Sequence, residues 1–214
     1  MEQRGGNSTL DLTLRRRPFF LYAGGRHEIS KWGDRLDALY PGGRRSIEDL
    51  GRRAGFAFNF EAPLSDTMDS HRLYLWAESQ GSGKGEDLAQ CIGHQYFENA
   101  RPLADHSMLC ECAAACDLDA DAARDFLTSD ARADEVRASV EQNLHMGIRS
   151  IPVFIFRSGT YETLVHGSAD VQRFGEVLDA ILAHHQDQQP SLGAVQQMAE
   201  ASTSPEGGAG KDEL

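Results

Sequence analysis

Apolar positions along the chain change their period three times, and each change marks a structural boundary. Leu12-Thr13-Leu14 followed by Phe19-Phe20-Leu21 is extended in character and predicts a first strand, with Pro18 admissible only at an edge, a bulge or a strand's end. Ser46-Ile47-Glu48-Asp49 has the form of a capping box, which predicts a short helix starting there and ending near Gly55. From Asp66 to Gly147 the spacing becomes helical: Met68, His71 and Leu75; Leu88, Cys91, Ile92 and Tyr96; Met108, Cys112 and Cys116; Val136, Val140 and Leu144. Asp105 and Asp119 stand where N-caps belong and Gly147 where a helix stops, so the stretch reads as an all-helical block of about four helices.

The pattern then shortens. Ile151-Pro152-Val153-Phe154-Ile155-Phe156 is a continuous apolar run, Arg157-Ser158-Gly159-Thr160 a turn signal, and Leu164-Val165-His166 a second run, which together predict a β-hairpin. Val171, Phe174, Leu178, Ile181 and Leu182 predict a last amphipathic helix covering one face of that sheet. Beyond this helix the chain turns to Gln, Ser, Gly, Ala and Pro, and residues 185–214 read as a disordered tail, as residues 1–10 read as a disordered lead.

Composition narrows the function classes. The 214 residues suit one domain with an inserted helical subdomain. A formal charge of -12 opposes affinity for a nucleic-acid backbone, so no nucleic-acid partner is expected. No stretch approaches the roughly 18 to 20 apolar residues of a membrane helix, and Met1 to Leu10 has the character of neither an anchor nor a signal peptide, so no membrane insertion is expected. Arg15-Arg16-Arg17 offers a phosphate subsite, but the charged end of a strand is the simpler reading. Gly81-Ser82-Gly83-Lys84-Gly85 lacks both the Ser or Thr after the lysine and the preceding strand of a phosphate loop, and reads as a turn.

The order of strand, helix, helical block, hairpin and helix ends as a thioredoxin fold ends. The chain resembles the DsbA-like thioredoxin-fold oxidoreductases, close to the 2-hydroxychromene-2-carboxylate isomerase group. Four stretches carry the resemblance: Arg17-Pro18-Phe19-Phe20-Leu21; Asp66-Thr67 with Ser70-His71-Arg72; Met146-Gly147 to Phe154; and His166-Gly167-Ser168. It spans residues 11–184, with the helical insertion at about 65–147. The fold class it implies is α/β, thioredoxin-like with an all-helical insertion, in which the first strand and active-site helix of the family are missing. The implied activity is protein thiol-disulfide exchange.

That chemistry needs a thiolate at a helix N-terminus and a resolving cysteine three residues later. The four cysteines, Cys91, Cys110, Cys112 and Cys116, form no C-x-x-C, so the chain as written is expected to be inactive or incomplete as an oxidoreductase. Two rival readings are a glutathione-linked isomerase or transferase of the kappa-like group and a non-catalytic module that binds extended peptides. The partners implied are protein or peptide thiols and disulfides, or a small-molecule thiol adduct. No cofactor is required, and glutathione is the one the resemblance leaves open.

Ser150, Ile151 and Pro152 resemble the family's substrate-facing cis-proline loop, and His71 is implied to lie near the ligand cleft, although a histidine on an apolar stripe is more often a hydrogen-bonded core residue. Cys112 and Cys116, one helical turn apart, form the candidate redox pair against the simpler reading of buried helix cysteines. One straight helix cannot surround a tetrahedral ion, so no metal site is expected. Lys211-Asp212-Glu213-Leu214 matches an ER-retention signal and Asn7-Ser8-Thr9 a glycosylation sequon. Both act only in the lumen, so the expectation is a piece of a longer secretory-pathway protein, in the endoplasmic reticulum if a signal peptide precedes it and cytoplasmic otherwise.

Overall fold

The computed structural model describes residues 11–21, 31–167 and 171–188. Asn7, the terminal Lys211-Asp212-Glu213-Leu214, the predicted lead and all but the first residues of the predicted tail lie outside them. Ten elements follow one another: α1 (Trp32–Leu39), α2 (Gly43–Ala54), α3 (Met68–Glu78), α4 (Lys84–Phe97), α5 (His106–Ala115), α6 (Ala120–Thr128), α7 (Ala133–His145), β1 (Val153–Ser158), β2 (Tyr161–His166) and α8 (Val171–Gln188). The chain divides into two compact units, one of residues 11–149 and one that holds the described residues from Ser150 onward.

In the first unit α3 to α6 supply the core. Leu73, Leu88, Met108, Leu109 and Cys112 are its largest buried side chains, joined by Ala77, Ala113, Ala123 and Leu127. Burial of that many apolar groups is what holds a helical block together, since each full-sized side chain contributes about 1.5–3 kcal/mol. The inward face of α3 is set by Leu73 and Ala77 rather than by the predicted Met68–His71–Leu75 stripe, whose members are only half-buried. Five helices fill Met68–His145 where four were predicted. The extra break falls at Ser129–Arg132, which carries no Gly or Pro: Arg132 itself takes the left-handed conformation, φ 62°. Asp105 and Asp119 do cap α5 and α6, accepting from the amides of Ser107 and of Asp121 and Ala122. Gly147 is left-handed, φ 78°, after α7.

The predicted first strand is not one. Residues 11–20 form no ladder with any described residue, and Leu12 and Leu14 are 65% and 61% exposed. Side chains fix the segment instead. The backbone amide of Arg16 donates to the Tyr74 hydroxyl at 2.9 Å, and the buried Asn143 donates to the Pro18 carbonyl at 2.9 Å. Arg16 Nε and Nη2 fork onto Glu86 at 2.7 and 2.6 Å, so the middle arginine of the basic triplet is taken up by an ion pair rather than left for a phosphate.

Two helices precede the block. α2 starts three residues before the predicted capping box, after a left-handed Gly42, so Ser46 lies inside the helix and its amide donates to the Gly42 carbonyl. Its predicted end at Gly55 holds, in the left-handed form with φ 84°. α1, not predicted at all, is anchored by Trp32, whose indole donates to the Asn59 carbonyl at 2.9 Å and whose ring lies 4.7 Å from Phe60 and 5.6 Å from Phe97.

The second unit is the predicted hairpin and helix. β1 and β2 pair antiparallel from Val153↔His166 to Ser158↔Tyr161 around a two-residue turn with Gly159 at φ 59°. α8 lays Val177 and Ile181 on Val165, with Phe174 edge-on to Phe154 at 4.9 Å. Val171, predicted on the buried stripe, is exposed.

Candidate functional site

Ser150-Ile151-Pro152 forms the entrance to β1, and all three residues are exposed. The Ile151–Pro152 peptide is cis. Pro152 donates nothing, and its carbonyl accepts from the amide of Gly167 at 2.8 Å, extending the β1–β2 ladder by one pair. Strand backbone groups alternate between two edges, so if Pro152 faces β2, Val153 turns its amide and carbonyl toward the opposite edge. Among the described residues β1 pairs only with β2. Ile151 is 52% exposed at that entrance.

His71 belongs to the other unit and is a packed residue. Its imidazole bonds the backbone of Phe19, and its ring lies 5.6 Å from that of Phe20. Burial holds its pKa below the ordinary value, partly offset by the Phe19 bond and by Asp66. A base with a depressed folded pKa binds fewer protons than its unfolded counterpart. Stability should therefore be intact above the unfolded value of about 6.5 and decline as pH falls below it, levelling off beneath the lowered folded value. Urea unfolding between pH 7.5 and 5 checks this: the decline should be shallower in His71→Gln, and an identical slope would show that His71 is not the group concerned.

Cys110, Cys112 and Cys116 are buried, as the simpler of the two readings had them. The close sulfur contact of Cys112 is with Cys91 rather than with Cys116. Cys112, on α5 and 1% exposed, meets Cys91 of α4, Sγ to Sγ 2.6 Å, and lies 3.8 Å from the Met108 sulfur. Cys116 is the C-cap of α5, and its carbonyl accepts from Lys84 Nζ at 2.7 Å. That bond also accounts for the lysine of the Gly-rich stretch, which caps α5 while left-handed Gly83 starts α4. Burial pushes the thiols of Cys110, Cys112 and Cys116 upward, and for Cys112 the neighbouring Cys91 adds to the rise. None of the three has the electropositive, exposed setting of a nucleophilic cysteine. Among the described residues no group of three or more His, Cys, Asp or Glu gathers as a metal site.

Two features escaped the sequence reading. Tyr74 donates to Glu78 at 2.9 Å, and burial pushes its pKa up to about 12, so it stays a neutral hydroxyl that fixes the Arg16 backbone. Arg72 is buried and bridges α3 to the α6–α7 connection. Its place in Ser70-His71-Arg72 was quoted for the resemblance, but nothing local to that tripeptide reveals partners about 55 to 60 residues away.

The model of the DSBA-like thioredoxin domain matches residues 4–179, which takes in the hairpin, the helical block and the first half of α8. No curated protein matches the chain.

Proposed function

This chain belongs to the DSBA-like thioredoxin domain family, and from that premise we propose that it binds thiol- or disulfide-bearing polypeptides at Ser150-Ile151-Pro152 without itself carrying a dithiol catalyst. The fold is thioredoxin-like with a helical insertion, in a family of thiol-disulfide oxidoreductase type.

The observation that carries the reading is the exposed entrance to β1. Ile151 offers apolar surface, and the alternation of the strand aims the backbone groups of Val153 at an edge that no described strand occupies. An extended peptide can add there by main-chain pairing, with Ile151 against an apolar side chain. Against catalysis stands the cysteine inventory: no C-x-x-C occurs in the 214 residues, and the three buried thiols are held protonated.

Titration calorimetry with an extended, cysteine-containing peptide tests the reading. Ile151→Asp should weaken binding about tenfold, as expected for losing roughly half of the 1.5–3 kcal/mol that a fully buried isoleucine contributes. Equal affinity of the wild-type chain and the variant would place peptide recognition elsewhere.

A further inference from the structure

The helical block carries a chemical feature that peptide binding does not use. Cys91 and Cys112 lie 21 residues apart in sequence, on different helices, and their sulfurs approach to 2.6 Å, only about half an ångström longer than a covalent S–S bond. Their surroundings differ in a useful way. Cys112 is enclosed by the core of α3, α4 and α5, whereas Cys91 is half-buried at its margin. Cys110, two residues from Cys112 on the same helix, points about 200 degrees away from it and is paired with neither.

We propose that Cys91 and Cys112 form a redox couple that closes to an intrachain disulfide with a low-molecular-weight disulfide as oxidant, locking α4 to α5. Cys91 is the entry point. Its thiolate, after losing a proton to solvent, attacks one sulfur of the external disulfide; that S–S bond breaks, one thiolate leaves and is protonated, and Cys91 carries a mixed disulfide. Cys112 then gives up its proton and attacks the Cys91 sulfur. The Cys91–Cys112 bond forms, the mixed disulfide breaks, and the second small thiol leaves with the proton. Two protein thiols are oxidised by two electrons, and one external disulfide is reduced to two thiols. The second step is slow because burial keeps Cys112 protonated, which suits a structural lock better than a turnover site.

Incubating the full chain with oxidised glutathione, blocking residual thiols with N-ethylmaleimide and mapping the peptides by mass spectrometry tests the couple. The expected product is a Cys91–Cys112 linked peptide pair lighter by two hydrogens, with Cys110 and Cys116 blocked as thiols. The thermal midpoint of the oxidised chain should exceed that of the reduced chain by roughly 5–10 °C, the scale expected from closing a loop of about 20 residues. That difference should vanish in Cys91→Ala. A persistent glutathione adduct on Cys91 with Cys112 still free, or a linkage of either residue to Cys116, would overturn the proposal. The wild-type peptide map decides this even if the variant folds poorly.

Discussion

Arg72→Ala is expected to cost the helical unit about 3–5 kcal/mol, a large share of the 5–15 kcal/mol that stabilises an ordinary domain. The guanidinium is 3% exposed, so its charge is tolerated only because every side of it is met. Nε donates to the Ala131 carbonyl at 2.8 Å, Nη2 to the carbonyls of Phe126 at 3.2 Å and of Ser129, and Nη1 to Asp69 at 2.5 Å. The Phe126 ring lies 5.1 Å below the guanidinium carbon. Two of the accepting carbonyls stand at the C-terminal end of α6, where the helix dipole favours a cation. Alanine would remove the charge and strip the donor from the Ala131 and Ser129 carbonyls, while the Phe126 carbonyl keeps the Ser129 amide and hydroxyl and Asp69 keeps His106. Lysine keeps the charge but lacks the planar fork, and should recover less than half of the loss. Urea denaturation followed by circular dichroism reads both variants. A loss under 1 kcal/mol in Arg72→Ala would mean that water replaces the guanidinium and that the α6–α7 connection does not depend on it.

Disulfide turnover is expected to be absent. With dithiothreitol as reductant, insulin should precipitate no faster with the chain than without it. A free cysteine is only a few per cent thiolate at pH 7, Cys110, Cys112 and Cys116 are buried and pushed higher, and the half-buried Cys91 depends on the slow thiol of Cys112 to resolve any mixed disulfide, so the couple can close once but not turn over. Cys112→Ser/Cys116→Ser should behave as the wild type does. Rates comparable with those of a C-x-x-C member of the family would contradict this account, and their disappearance in the double variant would make the helical cysteines the active centre.

What the sequence disclosed depended on how local the cause was. The hairpin was legible because the run from Ile151 to Phe156, the turn at Ser158-Gly159-Thr160 and the alternation to Val165 are adjacent in the chain. The caps at Asp105 and Asp119 were legible for the same reason, each bonding amides two or three residues on. The segment from Leu12 to Leu21 misled because its apolar residues mimic a strand, while its fastening comes from Tyr74 and Asn143, more than 50 residues away. Cys112 and Cys116 invited pairing because helical spacing is visible in sequence. The partner that counts, Cys91, sits on another helix, and only packing of α4 on α5 brings it there. Likewise α1 depends on Trp32 reaching Phe58, Phe60 and Phe97, a cluster without a periodic signature.

The central claim is that the entrance to β1 receives an extended polypeptide while the cysteines do not react with it. Photo-crosslinking reads this directly: an extended peptide carrying a photoreactive residue next to its cysteine is irradiated with the full chain, and the adducts are located by mass spectrometry. Adducts confined to Ser150, Ile151, Pro152 and Val153, with the peptide cysteine recovered as a free thiol, are the predicted result. Adducts spread over the helical block, or a mixed disulfide between the peptide and any of the four cysteines, would contradict it.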